Sequence, residues 1–215
     1  NFLMFQSNKE YNNFLIQSGV HTFLQETPNK LLENQENQSK SQEKIDVKKI
    51  DEITVIDDLI PIITNHESAL KNKAKKLVLY NGNVNSNLMI IGEAPGQEED
   101  EQGIPFVGRA GQLLNKMLLA INVDRKDVYV TNVVPWRPPQ NRTPTDQEIL
   151  EFLPFLQKQI EIIKPKFLYL LGTTAAKAIL STPLSLGKLR GKWYEYNTPN
   201  LGSPINVLVS YHPAF

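Results

Sequence analysis

The feature that most constrains the fold is the run Leu88-Met89-Ile90-Ile91, followed at once by Gly92-Glu93-Ala94-Pro95-Gly96. A short apolar run stopped by glycine and proline reads as a buried strand entering a stiffened loop. Beyond Pro105-Phe106-Val107-Gly108, helical spacing begins near Ala110. Leu113, Leu114, Met117 and Leu118 then share one face of a helix expected to reach Ile121. The alternation recurs. Asp127–Val134 is rich in β-branched and aromatic residues and reads as a second strand. Thr145-Asp146-Gln147-Glu148 has the form of a capping box, opening a helix that runs to about Ile163 and stops before Pro165. Phe167–Leu171, Thr173–Leu180 and Ile205–Ser210 read as a third strand, a third helix and a fourth strand. The expected fold is a three-layer α/β/α sandwich around a central, mostly parallel four-stranded sheet.

The part before Val78 is patterned differently. Phe14, Leu15, Val20, Phe23 and Leu24 have helix-like spacing. Residues 33–44 are almost wholly Gln, Asn, Ser, Lys and Glu, too polar to offset the entropy of ordering, and read as a linker. Residues 47–77 read as partly helical, broken at Pro61 and Thr64-Asn65. The expected division is a helical extension over 1–66 and an α/β domain over 67–215.

Composition narrows the chemistry. The absence of cysteine excludes disulfides, thiolate metal sites and cysteine nucleophiles. No apolar run reaches the ~18 residues of a membrane span, and no leader pattern opens the chain, so a cytoplasmic protein with no membrane partner is expected. The formal net charge is zero, unlike that of a protein that coats DNA. Lys71, Lys73, Lys75 and Lys76 form the one dense basic run, either a local phosphate patch or a solvated helix face. Phosphate-loop, nucleophile-elbow and zinc-type histidine motifs do not occur.

The candidate site residues follow strand ends, which converge on one edge of a parallel sheet. Glu93 follows the first strand, Asn132 ends the second, and His212 follows the fourth. Asn132 carries a donor and an acceptor on one planar amide, matching the N3–H and O4 edge of uracil and opposing the amine of cytosine. It equally suits an Asn bridging turn backbone. Phe106, set between Pro105 and Gly108, reads as an exposed ring that stacks a base, or as a core phenylalanine. His212, one of three histidines, suits a donor to a leaving-group anion, or a loop cap. Glu93 suits orienting water, holding the loop or steadying positive charge on a sugar. Glu98, Glu99 and Asp100 read as loop-ordering or solvated.

Taken together, GEAPGQEED, GIPFVGRAGQLL, VYVTNVV, RPPQNRTPT, LYLLGTTAAKAIL, LRG and SYHPAF resemble the family 4 uracil-DNA glycosylases over roughly residues 78–215. The resemblance implies excision of uracil from single- or double-stranded DNA by a monomeric enzyme. It carries base stacking to Phe106, uracil recognition to Asn132, leaving-group stabilisation to His212 and a catalytic-loop role to Glu93. Gly92, Ala94 and Gln97 would line the pocket. Ala94 stands where another glycosylase family has a water-activating aspartate, a gap family 4 shares.

The chain departs from that family in two respects. Family members ligate a [4Fe-4S] cluster with four cysteines. Here the later two positions hold Trp136 and Phe152, and the earlier two fall near Glu67 and Leu70. No metal or cofactor is therefore expected. Trp136 and Phe152 are expected to pack together with Leu70 as an apolar plug, and Glu67 to face solvent or a lysine. Members also continue past the HPAF stretch, so a domain truncated at its C-terminus is expected. Two rival readings remain at this level: a non-catalytic DNA-binding module of the same fold, and a glycosylase for another deaminated base.

Overall fold

The computed structural model describes residues 50–214. The apolar spacing within 1–27 and the linker at 33–44 lie outside the described residues. Helix α1 is Leu59–Asn65, followed by strands β1 (Tyr80–Gly82) and β2 (Leu88–Gly92). Helices α2 (Gln97–Gln102) and α3 (Arg109–Ala120) come next, then β3 (Tyr129–Asn132) and the long α4 (Asp146–Ile163). The chain continues through β4 (Phe167–Leu171), α5 (Thr173–Leu180), the short α6 (Leu186–Leu189), β5 (Trp193–Tyr196) and β6 (Ile205–Ser210).

The sheet has six strands in the order β1-β3-β2-β4-β6-β5, not the expected four. The inner four are the expected ones, and they pair in parallel. The added strands, β1 and β5, are antiparallel edges. Each pairs on one side only. Neither is a continuous apolar run, so neither carries the signature of a strand buried on both faces. β1 is anchored by Tyr80, whose ring stacks on Tyr129 at 5.0 Å.

Alternation along β2 separates two cores. Met89 and Ile91 enter the larger cluster with Phe152, Phe155, Leu156 and Ile160 of α4 and Ala175, Ala176 and Ile179 of α5. Ile90 points to the smaller cluster with Leu114 and Leu118 of α3. Those two clusters are the two helix–sheet interfaces of an α/β/α sandwich. The buried face of α3 is narrower than its sequence suggests, since Leu113 remains 45% and Met117 36% exposed.

The ends of α4 follow its sequence. Thr145 Oγ1 accepts from the Glu148 amide at 3.3 Å, and Glu148 accepts from the Thr145 amide at 2.8 Å. Arg142 adds two bonds to Glu148, at 2.7 and 2.6 Å. Lys164 closes the helix in the left-handed region, immediately before Pro165. Pro61, expected to break a helix, sits instead in the first turn of α1, where a missing N–H leaves no bond unmade.

Candidate active site

Because β3, β2, β4 and β6 are parallel, Asn132, Gly92, Leu171 and Ser210 end their strands along one edge of the sheet. Two backbone bonds lock the first pair of ends: Val133 donates to Gly92 O at 3.0 Å, and Val134 to Glu93 O at 3.2 Å. Gly172, just past β4, donates to Ser210 O at 2.9 Å. A cleft of about 810 Å³ opens there, lined by Glu93, Ala94, Gly172, Thr174 and His212. It runs on between α4 and α5, past Asp146, Leu150 and Lys177.

Phe106 and Asn132 meet behind this cleft, over Gly92. A Cβ on Gly92 would lie 2.4 Å from Phe106 Cζ and 2.5 Å from Asn132 Oδ1. Glycine is thus required for the ring and the amide to share one spot. Asn132 is 4% exposed, and its Oδ1 is a buried acceptor without a hydrogen-bond partner among the described residues. A buried acceptor left unmatched is costly, and binding sites are where that cost is repaid by a ligand.

Phe106 corrects the expectation of an exposed aromatic. It is 6% exposed, inside the smaller core with Ile90, Leu114 and Val130. Its φ of 56° turns the loop, so that the ring packs inward rather than toward solvent. It lies 5.6 Å from the His212 ring at a 31° tilt. One ring thus belongs to the core and borders His212 at once. Phe106→Ala is expected to lower stability by the ~3–5 kcal/mol of a core phenylalanine. It should also cost ~1–3 kcal/mol of base stacking. Thermal melting and single-turnover rates read the two losses separately, with Phe106→Leu retaining more stability than activity.

The loop carrying these groups is held by Glu99. One carboxylate oxygen accepts from Val107 and Gly108 amides at 3.0 and 2.9 Å, the other from Gly96 at 3.1 Å. Asp100 accepts from the Lys75 and Lys76 amides. Both acids order loops, as their sequence position suggested. Arg125 braces the other side, donating to Pro105 O at 2.8 Å. No motif marked Arg125, because its contact is to a backbone carbonyl. Lys71 and Lys75 pair with Glu67 and Glu101, so half of the basic run belongs to a solvated, mixed-charge surface.

Burial pushes the His212 imidazole below its ordinary value of 6.5, against the upward pull of the Glu93 and Glu99 carboxylates. The ring is therefore neutral at pH 7. Its Nδ1 accepts from the Ala214 amide at 3.2 Å, which leaves the proton on Nε2 as a donor. Glu93 sits in the same cleft, with one carboxylate oxygen taking the Thr174 hydroxyl at 2.5 Å.

Gln97 does not join the site. It is exposed on α2, and its amide donates to Glu101 at 3.1 Å. As the first residue of a solvated helix, it satisfies its neighbour one turn on instead.

The segments that a [4Fe-4S] cluster would clip together are built otherwise. Trp136, Phe152 and Leu70 are buried in the larger core, and Glu67 is 67% exposed beside Lys71. None supplies a thiolate, so these residues do not fit the cluster. Within that core the ring of Phe152 meets those of His66 at 6.1 Å and Phe155 at 6.2 Å. His66 in turn bonds Glu151 at 2.9 Å, fastening the segment after α1 to α4. Among the described residues, no group of three or more histidines and acids converges as a metal site.

The sequence profile of the uracil DNA glycosylase superfamily matches residues 79–215. The chain is 44% identical over 144 residues to the type-4 uracil-DNA glycosylase of Pyrobaculum aerophilum, covering 65% of this chain and 72% of that protein. It is 38% identical over 164 residues to that of Archaeoglobus fulgidus, covering 74% and 81%. For the Thermotoga maritima enzyme of the same name, the values are 41% over 140 residues, 65% and 70%. With its strand ends, glycine-opened pocket and sequence kinship in agreement, the chain belongs to the type-4 family of the uracil-DNA glycosylase superfamily.

Proposed function

We propose that this chain is a monofunctional uracil-DNA glycosylase that extrudes uracil from DNA and hydrolyses its N-glycosidic bond, leaving an abasic site. The observation that carries the reading is the buried, unpartnered Asn132 Oδ1 against the Phe106 ring, over a glycine that admits both. That corner suits a flat ring with an N–H edge.

Bond breaking then proceeds with positive charge growing on the sugar and negative charge on the uracil oxygens. The Nε2–H of neutral His212 donates to uracil O2, and its lack of charge avoids trapping the anion by proton transfer. The Glu93 carboxylate lies beside the same cleft and steadies the oxocarbenium-like sugar until water adds. We further propose that none of this needs an iron–sulfur cluster. The core at Leu70, Trp136 and Phe152 supplies the packing the cluster would supply.

The test is a uracil-containing oligonucleotide, single- and double-stranded, against cytosine and thymine controls. Free uracil should appear, with strand breakage only after alkali, and an iron chelator should change neither the rate nor the melting temperature. Breakage without alkali would show a lyase. Absence of uracil release would end the glycosylase reading, and loss of activity or melting temperature with chelator would end the cluster-free one.

A further inference from the structure

We infer that Thr174 is a positioning residue that fixes the Glu93 carboxylate for catalysis, an inference that rests on the glycosylase reading above. Thr174 lies 81 positions from Glu93, is 6% exposed, and donates its hydroxyl to Glu93 Oε2 at 2.5 Å. Among the described residues, this is the hydrogen bond that fixes the Glu93 side chain. The other carboxylate oxygen is left to the cleft that Glu93 shares with His212.

The hydroxyl is itself held in place. Thr174 is in the first turn of α5, which Ala175, Ala176 and Ile179 pack onto the larger core. Its β-branched side chain has few rotamers, so a fixed backbone gives a fixed donor. The preceding Gly172 has φ +92°, a conformation that disfavours side chains, and a Cβ there would stand 3.2 Å from His212 Cβ. The β4–α5 turn therefore sets both groups. Its glycine admits His212, and its threonine aims Glu93.

The test compares Thr174→Val, which keeps the shape and removes the donor, with Thr174→Ser, which keeps the donor. Single-turnover excision of uracil from an oligonucleotide is measured at saturating enzyme. Binding of the same oligonucleotide is titrated separately, and melting temperatures report folding. Thr174→Val should slow the chemical step ~10-fold, as expected for a lost hydrogen bond to a charged group, while DNA affinity changes less than ~2-fold. Thr174→Ser should restore most of the rate. In a Glu93→Ala background, Thr174→Val should produce no further slowing. A parental rate in Thr174→Val, equal slowing by valine and serine, or the same slowing with and without Glu93 would each overturn the inference while leaving the glycosylase reading intact. A parent protein that releases no uracil would overturn both.

Discussion

Replacing His212 by alanine should slow uracil excision by ~10²–10³-fold, the usual cost of removing one preorganised donor from a dry site where negative charge develops. The geometry carries this expectation. The ring is 5.6 Å from Phe106, shares a cleft with Glu93, and keeps its proton on Nε2 through the bond that Nδ1 accepts from Ala214. The pH dependence follows from the same bonds. Burial lowers the pKa of His212, so the neutral form dominates from its lowered pKa upward. Because that neutral form already carries the Nε2 donor, the rate should not fall between about pH 6.5 and 8 through His212 titration. A group that had to be protonated would lose activity across that window. Single-turnover rates of parent and His212→Ala across the range test both statements. An unchanged rate in a folded variant removes His212 from the chemistry, and a decline with rising pH that vanishes in His212→Ala points to an imidazolium.

Asn132→Asp is the second large effect expected, and its sign depends on the base offered. An amide presents one donor and one acceptor. An ionised carboxylate presents acceptors only, so uracil O4 loses its donor and the rate on uracil should fall by about 10²-fold. At 4% exposure, the new carboxyl would have a raised pKa, because burial disfavours charge. Its protonated form accepts from the cytosine amine and donates to cytosine N3. Cytosine release should therefore rise above the parental background as pH is lowered. Paired uracil and cytosine substrates measure both changes. Equal uracil rates in variant and parent would remove Asn132 from base recognition.

Much of this protein is legible along the chain. Short apolar runs stopped by glycine, Leu88–Ile91 and Phe167–Leu171, mark the buried strands β2 and β4, and the Thr145 capping box marks the start of α4 to the residue. From parallel strands it follows that Glu93, Asn132 and His212 share an edge. Periodicity reports whether a residue is buried, and strand order then tells which ends meet. It does not report which atoms touch. The edge strands β1 and β5 stayed hidden because one-sided pairing needs no apolar run. Phe106 turned inward because φ at one loop residue decides where a ring points. Gln97 bonded a neighbour on α2, and the ring of Phe152 met those of His66 and Phe155. The Thr174–Glu93 bond joins residues on two different strand–helix turns, set by the packing of α5 on the sheet. Local sequence determined the elements and the edge on which the chemistry sits. Distances of a few ångströms between residues far apart in the chain depend on how the layers close, and that was decided only in the folded structure.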